Sequence, residues 1–204
     1  MSSYDYWKER EEAQRKKNIK DEKEYDKEIK KIYQNMMDRI NNEIYSFYAK
    51  YASDNGITMR EAKKRASKLD IEEYARKAAK YVEEKNFSKQ ANEEMKLYNL
   101  TMKVNRLELL KANIGLELIK GHNILYQFFY KLLHRRVTNE ADRLTGILGD
   151  TIIDNKKFAD SIVNASFHNA TFSDRIWMYH DLLKNDINNL LQTGLIQGRN
   201  PNVL

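Results

Sequence analysis

Four side chains in this chain have an ordinary pKa close enough to neutrality for proton transfer or ready metal ligation: His122, His134, His168 and His180. A hydrolytic zinc site needs two histidines one helical turn apart with an acid beside them, as in His-Glu-x-x-His, so that several ligands share one face. None of the four stands in such a pair, and His168 and His180 would meet only through packing. A serine nucleophile on an α/β-hydrolase sheet sits in Gly-x-Ser-x-Gly, a strained elbow that exposes the hydroxyl. The chain has no such string, and Ser173 stands where a helix cap is expected. Glycine-rich phosphate loops are missing too. So is cysteine, which removes thiolate metal sites, disulfides and cysteine nucleophiles and fits assembly in a reducing cytoplasm. These residues point away from an enzyme and predict no catalytic, cofactor or metal site.

Two other patterns suit recognition rather than reaction. Between Leu118 and Asn139 there is no acidic residue, while Lys120, Lys131, Arg135 and Arg136 occur there together with His122 and His134. On an exposed helix face those four cations would contact the phosphates of duplex DNA without reading its sequence. The alternative is that Arg135 and Arg136 pair with carboxylates such as Glu140. The net charge of +6 is thinly spread and argues little by itself. The second pattern is aromatic. Tyr4, Tyr6 and Trp7, with Arg10 one turn on, stand in a stretch too poor in apolar residues to bury them, so they are expected to dock on the rest of the chain or on a partner.

Helices must hold all of these residues. Seven glycines and a single proline, Pro201, in 204 residues leave few turns, and apolar positions recur at three and four throughout, predicting an all-α, elongated bundle of long amphipathic helices joined by short ones. Residues 1–24 read as a charged helical extension carrying the aromatic tip, and 25–204 as one helical domain. From Tyr25, the series Ile29, Ile32, Tyr33, Met36, Ile40, Ile44, Phe47, Tyr48 and Tyr51 predicts a helix over 25–52, stopped by Asn55-Gly56. Thr58 with Glu61 forms a capping box, Asp70 with Glu73 is expected to cap a helix that turns Tyr74, Ala78, Tyr81 and Val82 inward, and Ser88 is expected to cap a long helix over 88–135. Gly115 and Gly121 weaken that span and predict a bend or break near Gly121. Thr171 with Asp174, or Ser173 itself, caps a last helix over 172–197. Tyr45, Tyr98, Leu107 and Trp177 are expected inside. The most apolar window, Ile114 to Leu133, holds Glu117, Lys120, His122 and Lys131 and so predicts no membrane span, since a spanning helix needs about 20 mostly apolar residues.

Four strings stand in a fixed order: Tyr6-Trp7-Lys8-Glu9-Arg10, Asn55-Gly56-Ile57-Thr58-Met59-Arg60-Glu61-Ala62, Phe172-Ser173-Asp174-Arg175-Ile176-Trp177, and Gly194-Leu195-Ile196-Gln197-Gly198-Arg199-Asn200-Pro201. In them the chain resembles the N-terminal part of tailed-phage minor head proteins, the Mu F-like head-morphogenesis family; residues 138–155 resemble it least. The resemblance implies a low-copy virion component of the head interior, assembled in the host cytoplasm and associated with the portal protein. It implies a role in head morphogenesis and DNA packaging or ejection, with genomic duplex DNA and a homo-oligomer as further partners. The family's C-terminal region is absent from these residues. The competing expectation is a host-directed helical interaction module.

Overall fold

The computed structural model describes residues 3–51, 57–83, 88–89, 91–92, 105–148 and 155–197. Among them the chain is all-α, with no strand: α1 (Ser3–Tyr51), α2 (Met59–Ala62), α3 (Lys68–Glu83), α4 (Arg106–Leu148), α5 (Asn155–Val163) and α6 (Phe172–Gln197). The charged extension and the helix expected after it are one 49-residue helix, α1. At about 1.5 Å per residue it is roughly 70 Å long.

Capping residues start these helices, not always those expected. Thr58 Oγ1 accepts the Glu61 N–H at 3.2 Å, as the capping box predicted. For α3 the cap is Ser67 rather than Asp70: Ser67 Oγ accepts the Asp70 N–H at 3.1 Å and donates back to the Asp70 carboxylate at 2.6 Å. Asp70 therefore lies inside the first turn as the reciprocal partner of a box one turn earlier. Ser88 does cap a turn, through the Ala91 N–H at 3.2 Å. The long helix, however, starts at Arg106 and not at Ser88, with Asn105 Oδ1 accepting the Glu108 N–H at 2.9 Å. It then runs past residue 135 to Leu148. Asn55-Gly56, Met95, Tyr98, Met102 and Gly198 lie outside the described residues.

The break expected at Gly121 is absent, because that glycine serves a crossing. A Cβ built there would collide with the Met36 Sδ and lie 2.8 Å from its Cγ, so any larger residue would force the fully buried Met36 side chain out of its place between α1 and α4. Around this crossing Met36, Ile40, Phe47 and Tyr48 of α1 pack on Leu107, Leu110, Ile114 and Leu118 of α4 and on Leu191 and Leu195 of α6. A second buried cluster joins Tyr74, Ala78 and Tyr81 of α3 to Leu109, Leu116 and Ile119 of α4 and Trp177 of α6. Met36 meets Gly121 and Glu11 meets Arg143, so α1 runs antiparallel to α4; α6, whose Leu195 joins Leu107 while His180 meets His122, does the same. Leu107 and Trp177 are buried as expected. Tyr45 and Val82 are about half exposed, at 48% and 50%, because each points away from the apolar stripe of its helix. No helix among the described residues is long and apolar enough to cross a membrane.

Candidate functional site

The packed half of the molecule holds its charges in closed networks. Glu117, only 2% exposed, accepts Arg39 Nε at 2.8 Å, Lys77 Nζ at 2.7 Å and the Tyr81 hydroxyl at 2.7 Å, so one carboxylate on α4 ties α1 to α3. Burial would raise its pKa, but the Lys77, Tyr81 and Arg39 partners outweigh that and hold it below its ordinary value. Asp70 is treated alike: burial opposes its charge, and the Lys50, Ser67 and Tyr51 hydrogen bonds push its pKa well down, while the Tyr51 hydroxyl is pushed up to about 12 by its burial and by Asp70. These residues border a cleft of about 290 Å³ between α1, α3 and α4, where Arg106 lies 4.2 Å over the Tyr51 ring. Sequence reading missed these networks, whose members come from distant stretches of chain.

The other half is an arm, in which residues 11–28 of α1 lie along residues 128–143 of α4. Tyr25 is its centre. Its ring sits edge-on to Phe128 at 6.4 Å, its hydroxyl accepts Arg135 Nη2 at 3.0 Å, and the guanidinium groups of Arg135 and Arg136 lie 5.8 and 5.3 Å from the ring centre. Glu140 is not their partner, because it pairs with Arg143, which also reaches Glu11 at 2.7 Å. The four cations of the expected DNA face are thus divided. Lys120 sits 4.3 Å over the Tyr81 ring in the packed half, Arg136 is half-buried against Tyr25, and Lys131 and Arg135 are exposed one turn apart on α4. The groove of about 1440 Å³ beside them carries Lys17, Arg135, Arg136 and Arg143 against Asp21, Glu24, Glu28, Glu140 and Asp142, so both signs line it.

The aromatic tip lies at the far end of this arm. Tyr4, Tyr6 and Trp7 are 74%, 50% and 40% exposed; the Tyr6 and Trp7 rings meet edge to face at 5.4 Å, and Arg10 lies 5.5 Å over Trp7. Tyr6, Trp7 and Arg10 form a small cluster among themselves.

The Phe172 to Trp177 string is accounted for by structure. Thr171 and Asp174 form a complete capping box, with the Asp174 N–H on Thr171 Oγ1 at 3.1 Å and the Thr171 N–H on Asp174 Oδ2 at 2.8 Å. Ser173 is therefore not the cap; it is half-buried in the first turn of α6. Phe172 stacks on Tyr126 at 5.3 Å, and Arg175 donates to the Phe167 carbonyl. That bond steadies a tight turn in which His168 and Asn169 have φ of 50° and 61°. Gly194 is buried in the last turns of α6. Among the described residues no group of three or more metal-ligating side chains occurs. Of the histidines, His134 reaches Asp160 at 3.5 Å, and His122 meets His180, buried between α4 and α6.

No protein-family model, no curated protein sequence and no solved structure matches this chain.

Proposed function

We propose that this chain is a non-catalytic structural component of a tailed-phage head, docked on the portal protein in the head interior through the aromatic end of α1. The observation that carries this reading is the exposure of Tyr4, Tyr6 and Trp7 at the end of a 49-residue helix, with Arg10 over the indole. Water-exposed aromatic rings beside an arginine have the composition of a binding hot spot, and their packing against one another still leaves a large share of each in water. The motif resemblance supplies the partner class, and with it the virion location and the role in head assembly and DNA packaging or ejection.

The test is capture of this chain by the cognate portal protein, wild type against Trp7→Ala. The variant should lose at least about 2 kcal/mol of binding, roughly thirtyfold in Kd, while its melting temperature stays put. Unchanged affinity would remove the tip from the docking surface. Capture of a host protein in place of the portal, again abolished in Trp7→Ala, would turn the reading into the host-directed module.

Non-specific duplex binding is a compatible second activity, supported by the exposed, one-turn spacing of Lys131 and Arg135. Replacing both with alanine should lower the salt slope of DNA binding by about 0.9 for each phosphate no longer neutralised. An unchanged slope would exclude these side chains from the DNA interface.

A further inference from the structure

We infer that the His122–His180 contact is an acid-sensitive latch, released when either imidazole takes a proton, and that its release frees the first half of α6 from α4. The two rings are 1% and 0% exposed, perpendicular at 90° with centres 4.9 Å apart, and their Nδ1 atoms face each other at 3.4 Å. His122 Nδ1 is also 2.8 Å from the Leu118 carbonyl, which can only accept, so that nitrogen carries the hydrogen. The pair is therefore consistent only with a bare, accepting Nδ1 on His180. A proton added there would set two N–H groups against each other. Added at Nε2 of His122 it would be buried without an acceptor among the described residues, where the Nε2 atoms of both rings, like Nε1 of the adjoining Trp177, have no hydrogen-bond partner.

Among the described residues no charge repairs this for both rings. Asp181 of α6 favours a charged His122, whereas Lys184 of α6 and His122 itself oppose a charged His180. Toward α1 and α3, the carboxylate of Glu117 is occupied by Arg39, Lys77 and Tyr81, Lys120 sits on the Tyr81 ring, and Tyr33 of α1 interacts with Tyr179. Burial accordingly pushes both imidazoles down, His180 to about 3 with help from His122 and Lys184. The folded values lie below the ordinary 6.5, so the closed state is fully stable above that pH and loses ground as pH falls from 6.5 toward 3. Each histidine can shift the opening equilibrium by up to about tenfold per pH unit.

Opening should be local, because the two halves of α6 are anchored differently. Beyond the latch the residues before Leu183 bury Ile176 and Trp177 while Met178, Tyr179 and Leu182 are exposed at 51%, 57% and 53%; from Leu183 on the helix packs on the main core through Leu183, Ile187, Leu191 and Leu195.

Hydrogen exchange on the full chain, corrected for the intrinsic rate, tests this. Between about pH 7.5 and pH 5 the amides of residues 172–182 should lose at least about tenfold in protection relative to those of residues 106–118 in α4. The double variant His122→Asn/His180→Phe should lose that difference. Unchanged protection in α6, or an equal loss across both helices, would overturn the latch. Should the double variant not fold, ring-proton titration of the wild type decides: a native midpoint near the ordinary histidine value for both rings overturns the proposal, and midpoints at least about one unit lower support it.

Discussion

Helices α1 and α4 meet twice, and the two meetings use different chemistry. Around Met36 and Gly121 the packing is apolar and closed, with Met36 at 0% and Leu118 at 1% exposure, and the carboxylate beside it, Glu117, is surrounded by partners. Around Tyr25 the same two helices touch through a ring between two arginines and an ion pair whose Glu11 is largely exposed. Apolar burial contributes about 25 cal/mol per Å², whereas an exposed ion pair contributes about 1 kcal/mol at most. Stability therefore resides at the crossing. The arm is held loosely enough for its surface to be shaped by something other than folding, and its tip presents the aromatic residues that the crossing would have buried.

The sharpest way to break this contrast is at the crossing itself. Leu118→Ala should destabilise the protein by about 2–5 kcal/mol in denaturant unfolding, since the side chain is 1% exposed and its neighbours cannot close the cavity. A loss below about 1 kcal/mol would mean that the crossing is not where stability lies. Glu117→Gln should cost somewhat less, about 1–3 kcal/mol, because it takes the anion from the partly buried Arg39 while Lys77 keeps Glu43. The folded carboxyl is held below its ordinary 4.5, so this contribution is complete above that pH and disappears as pH falls below it; the wild type and Glu117→Gln should converge in stability on acidification. Curves that stay parallel would show that Glu117 is not charged in the fold. At the arm, Arg143→Ala should leave the melting temperature within about 2 °C of wild type. A drop matching that of Leu118→Ala would erase the difference between the two meetings.

How much of this was legible in the sequence depended on the distance between partners. The start of α6 was readable because Thr171 and Asp174 cap within one turn, and the core faces of α1 and α4 because apolar residues recur locally. The start of α4 carries an equally local signal, Asn105 followed three residues later by Glu108, but apolar spacing that continues back to Ser88 hides it. Gly121 could not be read locally, since a glycine that bends a helix and one that admits a neighbour look identical until Met36 is beside it. Glu117 and Arg39 are 78 residues apart and His122 and His180 are 58 apart, beyond the reach of any periodicity. The aromatic tip was found for the opposite reason: it is defined by the lack of partners nearby in sequence.

The antiparallel pairing of α1 with α4 also sets an order of events during synthesis. Glu11 and Arg143 are 132 residues apart, and Tyr25 and Arg135 are 110 apart, so α1 leaves the ribosome long before the helix it will lie against has been made. A helix of that length with a strongly apolar surface would be prone to aggregate while it waits. The first turns beyond the core of α1 instead carry pairs such as Asp26 with Lys30 and Glu24 with Lys27, which support a lone helix and keep it hydrated. Closing the arm should then follow the crossing of Met36 with Gly121, because its interactions are too weak to draw such distant segments together by themselves.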